Sequence, residues 1–320
     1  MRVLVTGAAG NLGSMLAKRL LNTSHQIRLL THRRAPPADV ASSGKAEVFQ
    51  ADLGSPSTIG SACEGVDCIV HLAGVLFAPR PEKFLPRTNI AFVQNLLRSA
   101  RCAGVRKFLL ISFPHVEGET TPEHPATDRL DREPAVVHFR TRLAAEKAVL
   151  EMGSSGAITP VILRVGVVYG PSVKLTEAAR RLLRCRILSV WRKPTWIHLI
   201  SLPDFLSAVV AAIGDPSVHG IYNVCDDGPT TVQDFLDRLA FHFGYRKPWR
   251  LPEWTFHVAA ITCETGALLL HTAAPLTRDI VKAGMTSSVA DNSRMKKELI
   301  SRLEYPTLEN GITLLSAGRR

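Results

Sequence analysis

Thr6-Gly7-Ala8-Ala9-Gly10-Asn11-Leu12-Gly13 follows a β-rich run, Arg2–Thr6, and opens a stretch of helical spacing. A G-x-x-G-x-x-G turn lets the backbone approach an anion closely. The helix that begins there adds unpaired N–H groups and a favourable dipole. This is the chemistry of pyrophosphate binding, with Gly7, Gly10, Asn11, Leu12 and Gly13 as its contacts. A Cβ at Gly10 would fill space that the phosphates need. A tight turn without a ligand is the plainer alternative. The strand before the motif, the helix after it and its position near the start of the chain argue against that reading.

The end of the second apolar run bears on which dinucleotide would be held. An acidic residue there would take the adenosine ribose hydroxyls of NAD. The chain instead reads Leu29-Leu30-Thr31-His32-Arg33-Arg34. Arg33 and Arg34 can face a 2′-phosphate as charge-assisted donors. NADP is therefore the expected cofactor, with NAD the alternative. The bland reading of the two arginines is a solvated loop.

The elements that must position these residues alternate. Strand patterns at 27–30, 47–50, 68–72, 108–112 and 159–165 are separated by helical patterns at 12–21, 57–63, 88–103 and 140–152. Such alternation predicts an α/β fold with a doubly wound parallel sheet. Ligands then sit at the carboxyl ends of the strands, where strand order reverses. After Pro171 the alternation weakens. A helix is expected at 174–186, a strand at 195–200, helices at 203–213 and 231–243 and a strand at 221–225. The expected organisation is a dinucleotide-binding domain over 1–171 and a smaller substrate-binding part over 172–320, with about 195–213 returning to pack on the first. The apolar stretch 256–276 reads as a buried or surface-lying helix, one that could line an apolar pocket or meet a partner.

Composition excludes several classes. Of the 320 residues, 46% are hydrophobic and 21% charged, which fits a globular chain rather than a disordered one. Lys and Arg number 39 against 28 Asp and Glu, a net charge of +11 that favours an anionic cofactor, nucleic acid or membrane surface. The cations are scattered in short groups and Trp and Tyr are few, so nucleic-acid binding is not expected. The six cysteines form no CxxC pair and no His cluster completes a metal site, so no metal is expected and the thiols read as reduced. Glu264 and Pro275 interrupt the longest apolar stretch, so no transmembrane segment is expected. With no signal peptide read at Met1, a cytoplasmic location is expected.

Taken together, these motifs resemble the extended short-chain dehydrogenase/reductase family, the NAD-dependent epimerase/dehydratase group. The resemblance spans nearly the whole chain. It implies a Rossmann-type sheet. Asp52-Leu53 is similar to the family's adenine-contacting pair, and His71-Leu72-Ala73-Gly74 to the fourth-strand motif along which the cofactor passes. Asn89 with Asn95-Leu96-Leu97 resembles the long central helix. Leu163 to Pro171 resembles the strand and turn beside the nicotinamide, with Val165 where Pro is usual. The resemblance thus implies Leu72, Ala73, Gly74, Ser112, Arg142, Val165 and Val168 as cofactor contacts and a homodimer as the assembly.

The departures concern catalysis. Members usually carry Tyr-x-x-x-Lys followed by Ala-Ala-Glu. Registering on Ala144-Ala145-Glu146 places His138 at the Tyr position and Arg142 at the Lys position. Registering on Val116 and Gly118 places Phe113 where the catalytic Ser or Thr is usual and Glu117 where Tyr is usual. Ser112 is one residue early, on the other side of an extended chain. The i, i+4 spacing keeps His138 and Arg142 on one helix face. His138 titrates near neutrality and could serve as acid or base, and Arg142 could keep the ribose contact without giving up a proton. His115 and Tyr169 are the spare proton carriers. The expectation is an NAD(P)-dependent oxidoreductase or epimerase acting on the carbonyl or alcohol of a small-molecule substrate, nucleotide-sugar or ring-ketone in kind. The alternatives are a cofactor-binding protein that has lost catalysis and a lyase or isomerase that reuses the pocket.

Overall fold

A computed structural model describes residues 1–74, 81–154, 156–270, 272, 274 and 276–316. Its centre is a seven-stranded sheet with every pairing parallel. The strands are β1 Arg2–Thr6, β2 Gln26–Thr31, β3 Ala46–Gln50, β4 Cys68–His71, β5 Lys107–Ser112 and β6 Thr159–Val165, joined at the edge by Gly220–Val224. From one edge the order is Gly220–Val224, β6, β5, β4, β1, β2, β3. Strand order reverses between β1 and β4, so the crevice at their carboxyl ends lies between the glycine turn and Leu72–Gly74. β1, β4 and β5 are apolar on both faces because helices cover both sides. One layer of core gathers Leu16, Leu20, Val5, Val70, Leu163 and Phe205, and the other Leu4, Ile69, Leu97, Phe108, Val149 and Ile162.

Past Pro171 the chain returns to this sheet. Leu199–Ser201 pairs in parallel with Val167–Tyr169, helix Leu202–Gly214 packs on the first core layer, and Gly220–Val224 extends the sheet beside β6. A third cluster, built on Tyr169, Leu183, Val190, Leu239 and Leu308, lies between helix Lys174–Arg184 and helix Val232–His242.

Two elements differ from the expected ones. The single strand over 195–200 is two, Trp196–Ile197 and Leu199–Ser201. They part at His198, whose ring turns inward to accept the Ala290 N–H at Nδ1. The single helix over 88–103 begins as a π turn, Pro86–Ala91, before the α-helix Phe92–Cys102. Helix Glu253–Leu269 lies on the surface, with only Ala260 and Ala267 buried. No helix among the described residues is long and apolar enough to cross a membrane.

Candidate active site

The glycine turn is tight for internal reasons. Gly7 has φ +74, and a Cβ there would stand 2.8 Å from the Ala73 backbone nitrogen. A Cβ at Gly10 would meet the Gly7 carbonyl oxygen at 2.9 Å, and one at Gly13 would meet the same oxygen at 2.1 Å. The clash expected at Gly10 is thus with the turn's own backbone before it is with any ligand. Helix Asn11–Leu21 starts with no side-chain cap and no acidic residue in its first turn, which leaves its N-terminal N–H groups and dipole for an anion. The Asn11 side chain is already used: it donates to the Ser172 carbonyl at 2.9 Å and accepts from the Lys174 N–H at 2.8 Å. Its part in binding a phosphate falls to its backbone. Leu12 is partly buried against the core, and Leu53 is buried within it.

Gly13→Ala is expected to lower the melting temperature and cofactor affinity together. The turn must open to admit the methyl group, at a cost of about 1–3 kcal/mol. Thermal melting with calorimetric titration checks this. An unchanged affinity would separate the turn from the phosphate site.

Thr6 and His71, which the sequence reading did not single out, join the turn to the end of β4. The Ala73 N–H donates to Thr6 Oγ1 at 3.3 Å, and the same hydroxyl shares a hydrogen bond with His71 Nδ1 at 2.8 Å. Burial, and then the Arg142 charge, push His71 down to about 3. At the end of β2, Thr31 is buried while Arg33 and Arg34 are exposed, with no ion pair to either among the described residues. Asp52 Oδ1 accepts the Gly54 N–H at 2.8 Å, and Oδ2 lies 4.0 Å from His32 Nε2.

Helix Val137–Ser154 carries the substituted pair. Both side chains are buried, His138 at 8% exposure and Arg142 at 6%. Arg142 reaches across to β4, where a Cβ on Gly74 would lie 2.7 Å from its Nη2. Its Nε and Nη1 are buried with no hydrogen-bond partner among the described residues, and so is His138 Nε2. Buried donors of this kind are costly unless something accepts from them. Burial lowers Arg142 to about 10 against the supporting charge of Glu146, one turn on. His138 is pushed down to about 4, chiefly by burial, then by the charges of Arg142 and His115. The Arg142 charge acts in the same direction as burial but is the smaller cause.

The hydrogen bonds around His138 favour one tautomer. Thr141 Oγ1 donates to the His138 carbonyl at 3.1 Å, so it can only accept from Asn89 Nδ2 at 3.0 Å. That fixes the amide with its nitrogen inward, and its second proton faces His138 Nδ1 at 3.5 Å. This arrangement favours the tautomer with Nδ1 as acceptor and the proton on Nε2. In it His138 is a neutral donor whose N–H has no partner among the described residues. Phe113 stacks on its ring at 4.9 Å between centroids, and Phe139 and His115 complete an aromatic group.

The other sequence candidates fall elsewhere. The Ser112 hydroxyl donates to Glu146 and faces a buried ion cluster. In that cluster Arg164, fully buried, pairs with Glu146 at 2.7 Å and with Glu117, and donates to the Arg129 carbonyl at 3.0 Å. A contact from Ser112 to a cofactor is left to its backbone. Tyr169 is fully buried, its hydroxyl packed where a Cβ on Gly311 would sit and donating to the Thr307 carbonyl at 3.5 Å. Burial raises it well above the usual phenol range, so it holds its proton. His115 is pushed down to about 4 by burial. Val165 ends β6 and Val168 sits in the short strand after it, both buried. Asn89, Thr141, Glu146 and Arg164 were outside the candidate set. Polar residues at core-facing positions of apolar helices and strands were the signal for them.

The residues fit a dinucleotide: a cradle that admits no side chain, a helix N-terminus without a side-chain cap, and the Arg142 guanidinium, which reaches Gly74 with Nη2 and has no partner for Nε and Nη1 among the described residues. Residues 3–225 match the NAD dependent epimerase/dehydratase family. The chain belongs to that family. Among its relatives, a 2-alkyl-3-oxoalkanoate reductase from Stenotrophomonas maltophilia is 25% identical over 252 residues, 75% of this chain and 74% of that one. A 3 beta-hydroxysteroid dehydrogenase/Delta 5-->4-isomerase from Mycobacterium tuberculosis is 30% identical over 271 residues, 77% of this chain and 70% of that one. A dTDP-glucose 4,6-dehydratase from Streptomyces venezuelae, solved with NAD, superposes with a TM-score of 0.80 at 18% identity, covering 99% of this chain and 96% of that one. The family members it resembles thus include reductases, dehydrogenases and dehydratases. The parallel sheet of seven strands flanked by helices is a Rossmann-like α/β fold, and the dehydratase shares that fold.

Proposed function

We propose that this family member is an NAD(P)-dependent oxidoreductase of a carbonyl or secondary alcohol, with His138 and Arg142 acting as hydrogen-bond donors rather than as a proton-exchanging pair. The observation that carries this is the group of three buried nitrogens on one helix face with no hydrogen-bond partner among the described residues: His138 Nε2, Arg142 Nε and Arg142 Nη1. Donors fixed in a low-dielectric site stabilise charge as it develops on an oxygen without reorganising. The nicotinamide, when bound, supplies or accepts the hydride. Gly7, Gly10 and Gly13 hold the pyrophosphate at the start of helix Asn11–Leu21. Leu72, Ala73 and Gly74 form the wall along which the cofactor lies, with Val165 and Val168 at the nicotinamide end. Arg142 holds the ribose oxygens beside Gly74. His138 Nε2–H holds the substrate oxygen and stabilises its negative charge as the carbonyl takes the hydride, and the alkoxide so formed takes its proton from solvent water rather than from His138.

Phe113, stacked on His138, gives the substrate an apolar wall in place of a hydroxyl. That favours a ring ketone or a similar apolar carbonyl over a sugar, in keeping with the steroid and alkanoate relatives. The test is ketone-dependent oxidation of NADPH and NADH, followed by absorbance across steroid, 3-oxoacyl and nucleotide-sugar carbonyls. Cofactor binding with no turnover on any of them would leave a cofactor-binding protein without this activity.

NADP(H) is expected to bind more than tenfold tighter than NAD(H). Arg33 and Arg34 are free for a 2′-phosphate, and a hydrogen bond to a charged group contributes about 1.5–3 kcal/mol. Calorimetric titration of both cofactors against the native chain and Arg33→Ala checks this. Equal affinities in both proteins would show that the arginines are only a solvated loop. We also propose a homodimer, a cytoplasmic location and the boundary near residue 171, as the family resemblance and the chain's composition suggest.

A further inference from the structure

The surface farthest from ordinary composition is helix Glu253–Leu269 with the β-ribbon that leads into it. Trp254 (65% exposed), Val258, Ile261 and Leu269 (75%) are all exposed large apolar residues. Their spacing of four, three and eight residues keeps them on one face of the helix. The opposite face holds Ala260 and Ala267 in the protein, and Phe256 meets the edge of the Trp191 ring at 5.8 Å. The exposed face is therefore not the one that fixes the helix to the fold. The ribbon pairs Trp249–Leu251 with Ser189–Trp191, and Trp249 is itself 64% exposed, beside Ile187 at 64%.

Charge around this face is mostly positive. A groove of about 300 Å³ is lined by Arg186, Arg246, Lys247, Arg250, Trp249 and their apolar neighbours. Arg184, Arg192 and Lys193 are exposed nearby. The acids of the same region are taken: Asp237 pairs with Lys247 and Arg250, and Glu264 with Arg278. Glu253 is the exposed acid left, at the start of the helix. A second copy would bring the same cations and only Glu253 to meet them. An anionic lipid surface supplies both things the face lacks, acyl chains for the apolar stripe and phosphates for Arg186 and Arg246. Trp254 suits the depth of the headgroups, where an indole buries its ring and keeps its N–H wet, while Trp249, whose N–H donates to the Arg186 carbonyl at 3.2 Å, offers its ring.

We infer that helix Glu253–Leu269 and the adjoining ribbon form a docking face for an anionic membrane surface, with the helix lying in the interface and not crossing it. Binding combines apolar area with attraction to lipid phosphate, so it needs both lipid charge and low salt. It stands apart from the proposed activity, because a catalytically inert chain would bind as well.

The test is co-sedimentation of the full chain with vesicles of phosphatidylglycerol and phosphatidylcholine, and with phosphatidylcholine alone, at low and high salt. The expected result is sedimentation with the anionic vesicles, little with the neutral ones, and loss at high salt. Trp254→Glu and Ile261→Glu should each weaken binding at least tenfold, as should Arg186→Glu combined with Arg246→Glu. All of these side chains are exposed, so unchanged melting temperatures serve as the folding control. Tryptophan emission should shift to the blue with anionic vesicles. No sedimentation at low salt, or equal binding by the variants, overturns the inference. So does a dimer in analytical centrifugation that Ile261→Glu dissociates in a chain that ignores vesicles, since that result makes the face a contact between copies.

Discussion

His138→Ala is expected to lower turnover by about 10²–10³-fold, the cost of losing one oriented donor to a developing oxyanion. Affinity for the cofactor should change little, because the pyrophosphate cradle and Arg142 are untouched. The pH profile separates this role from acid–base catalysis. A histidine that exchanges protons in turnover would give a limb near its own titration. His138 is held neutral down to about 4, mainly by burial. Its Nε2–H is therefore present over the whole range above that value and is lost as a neutral donor only as the pH falls through it. The rate of the native protein should be flat from about pH 5.5 to 8, with no limb near the ordinary imidazole value of about 6.5. Asn89→Asp should introduce one. A carboxylate against Nδ1 favours the imidazolium and draws the ring proton to itself, so the titration should move up toward neutrality. A native profile with a limb near 6.5 would return His138 to the role of proton carrier. An unchanged rate in His138→Ala would remove it from the reaction.

What the sequence made legible follows from how local each signal is. The glycine turn is written within eight residues because its constraints are local: a positive φ at Gly7 and near-contacts of Gly10 and Gly13 with one carbonyl. The parallel sheet follows from alternation of strand and helix patterns, a property of short windows. The spacing of His138 and Arg142 places them on one helix face without reference to anything else. The tautomer of His138 does not follow, because it depends on Asn89, 49 residues away in sequence. The fate of Ser112 depends on Glu146, which lies 34 residues on. The break in the strand at 195–200 depends on a hydrogen bond from Ala290 to His198. Tyr169 has the composition of a proton carrier and lacks the setting, since its hydroxyl is buried against Gly311. Pairings across the fold decide these cases, and no window of sequence contains both partners.

Arg164→Met is expected to destabilise the protein by about 3–5 kcal/mol, the cost of removing one partner from a buried ion cluster. Arg164 is fully buried between Glu117 and Glu146, and it also holds the Arg129 carbonyl. Methionine would fill much of the space and satisfy none of these acceptors. Two carboxylates would be left in the core with the Ser112 hydroxyl and backbone N–H groups as their remaining donors. Burial already raises Glu117 above its ordinary value, with Arg164 pulling the other way. Without the arginine it should rise further and take up a proton more readily. A carboxyl whose folded value is raised adds stability as the pH falls, so the deficit of Arg164→Met should be smaller near pH 5 than near pH 8. Adding Glu117→Gln and Glu146→Gln should recover part of the loss, because uncompensated charge is the larger part of the cost. The same cluster reaches the site through one helical turn. Glu146 supports the charge of Arg142 four residues before it, so Glu146→Gln should weaken cofactor binding as well as stability. Thermal melting at both pH values and titration with NADPH measure the two effects. If Arg164→Met melts within a degree or two of the native protein at pH 8, the cluster contributes no stability and the link from core to site fails with it.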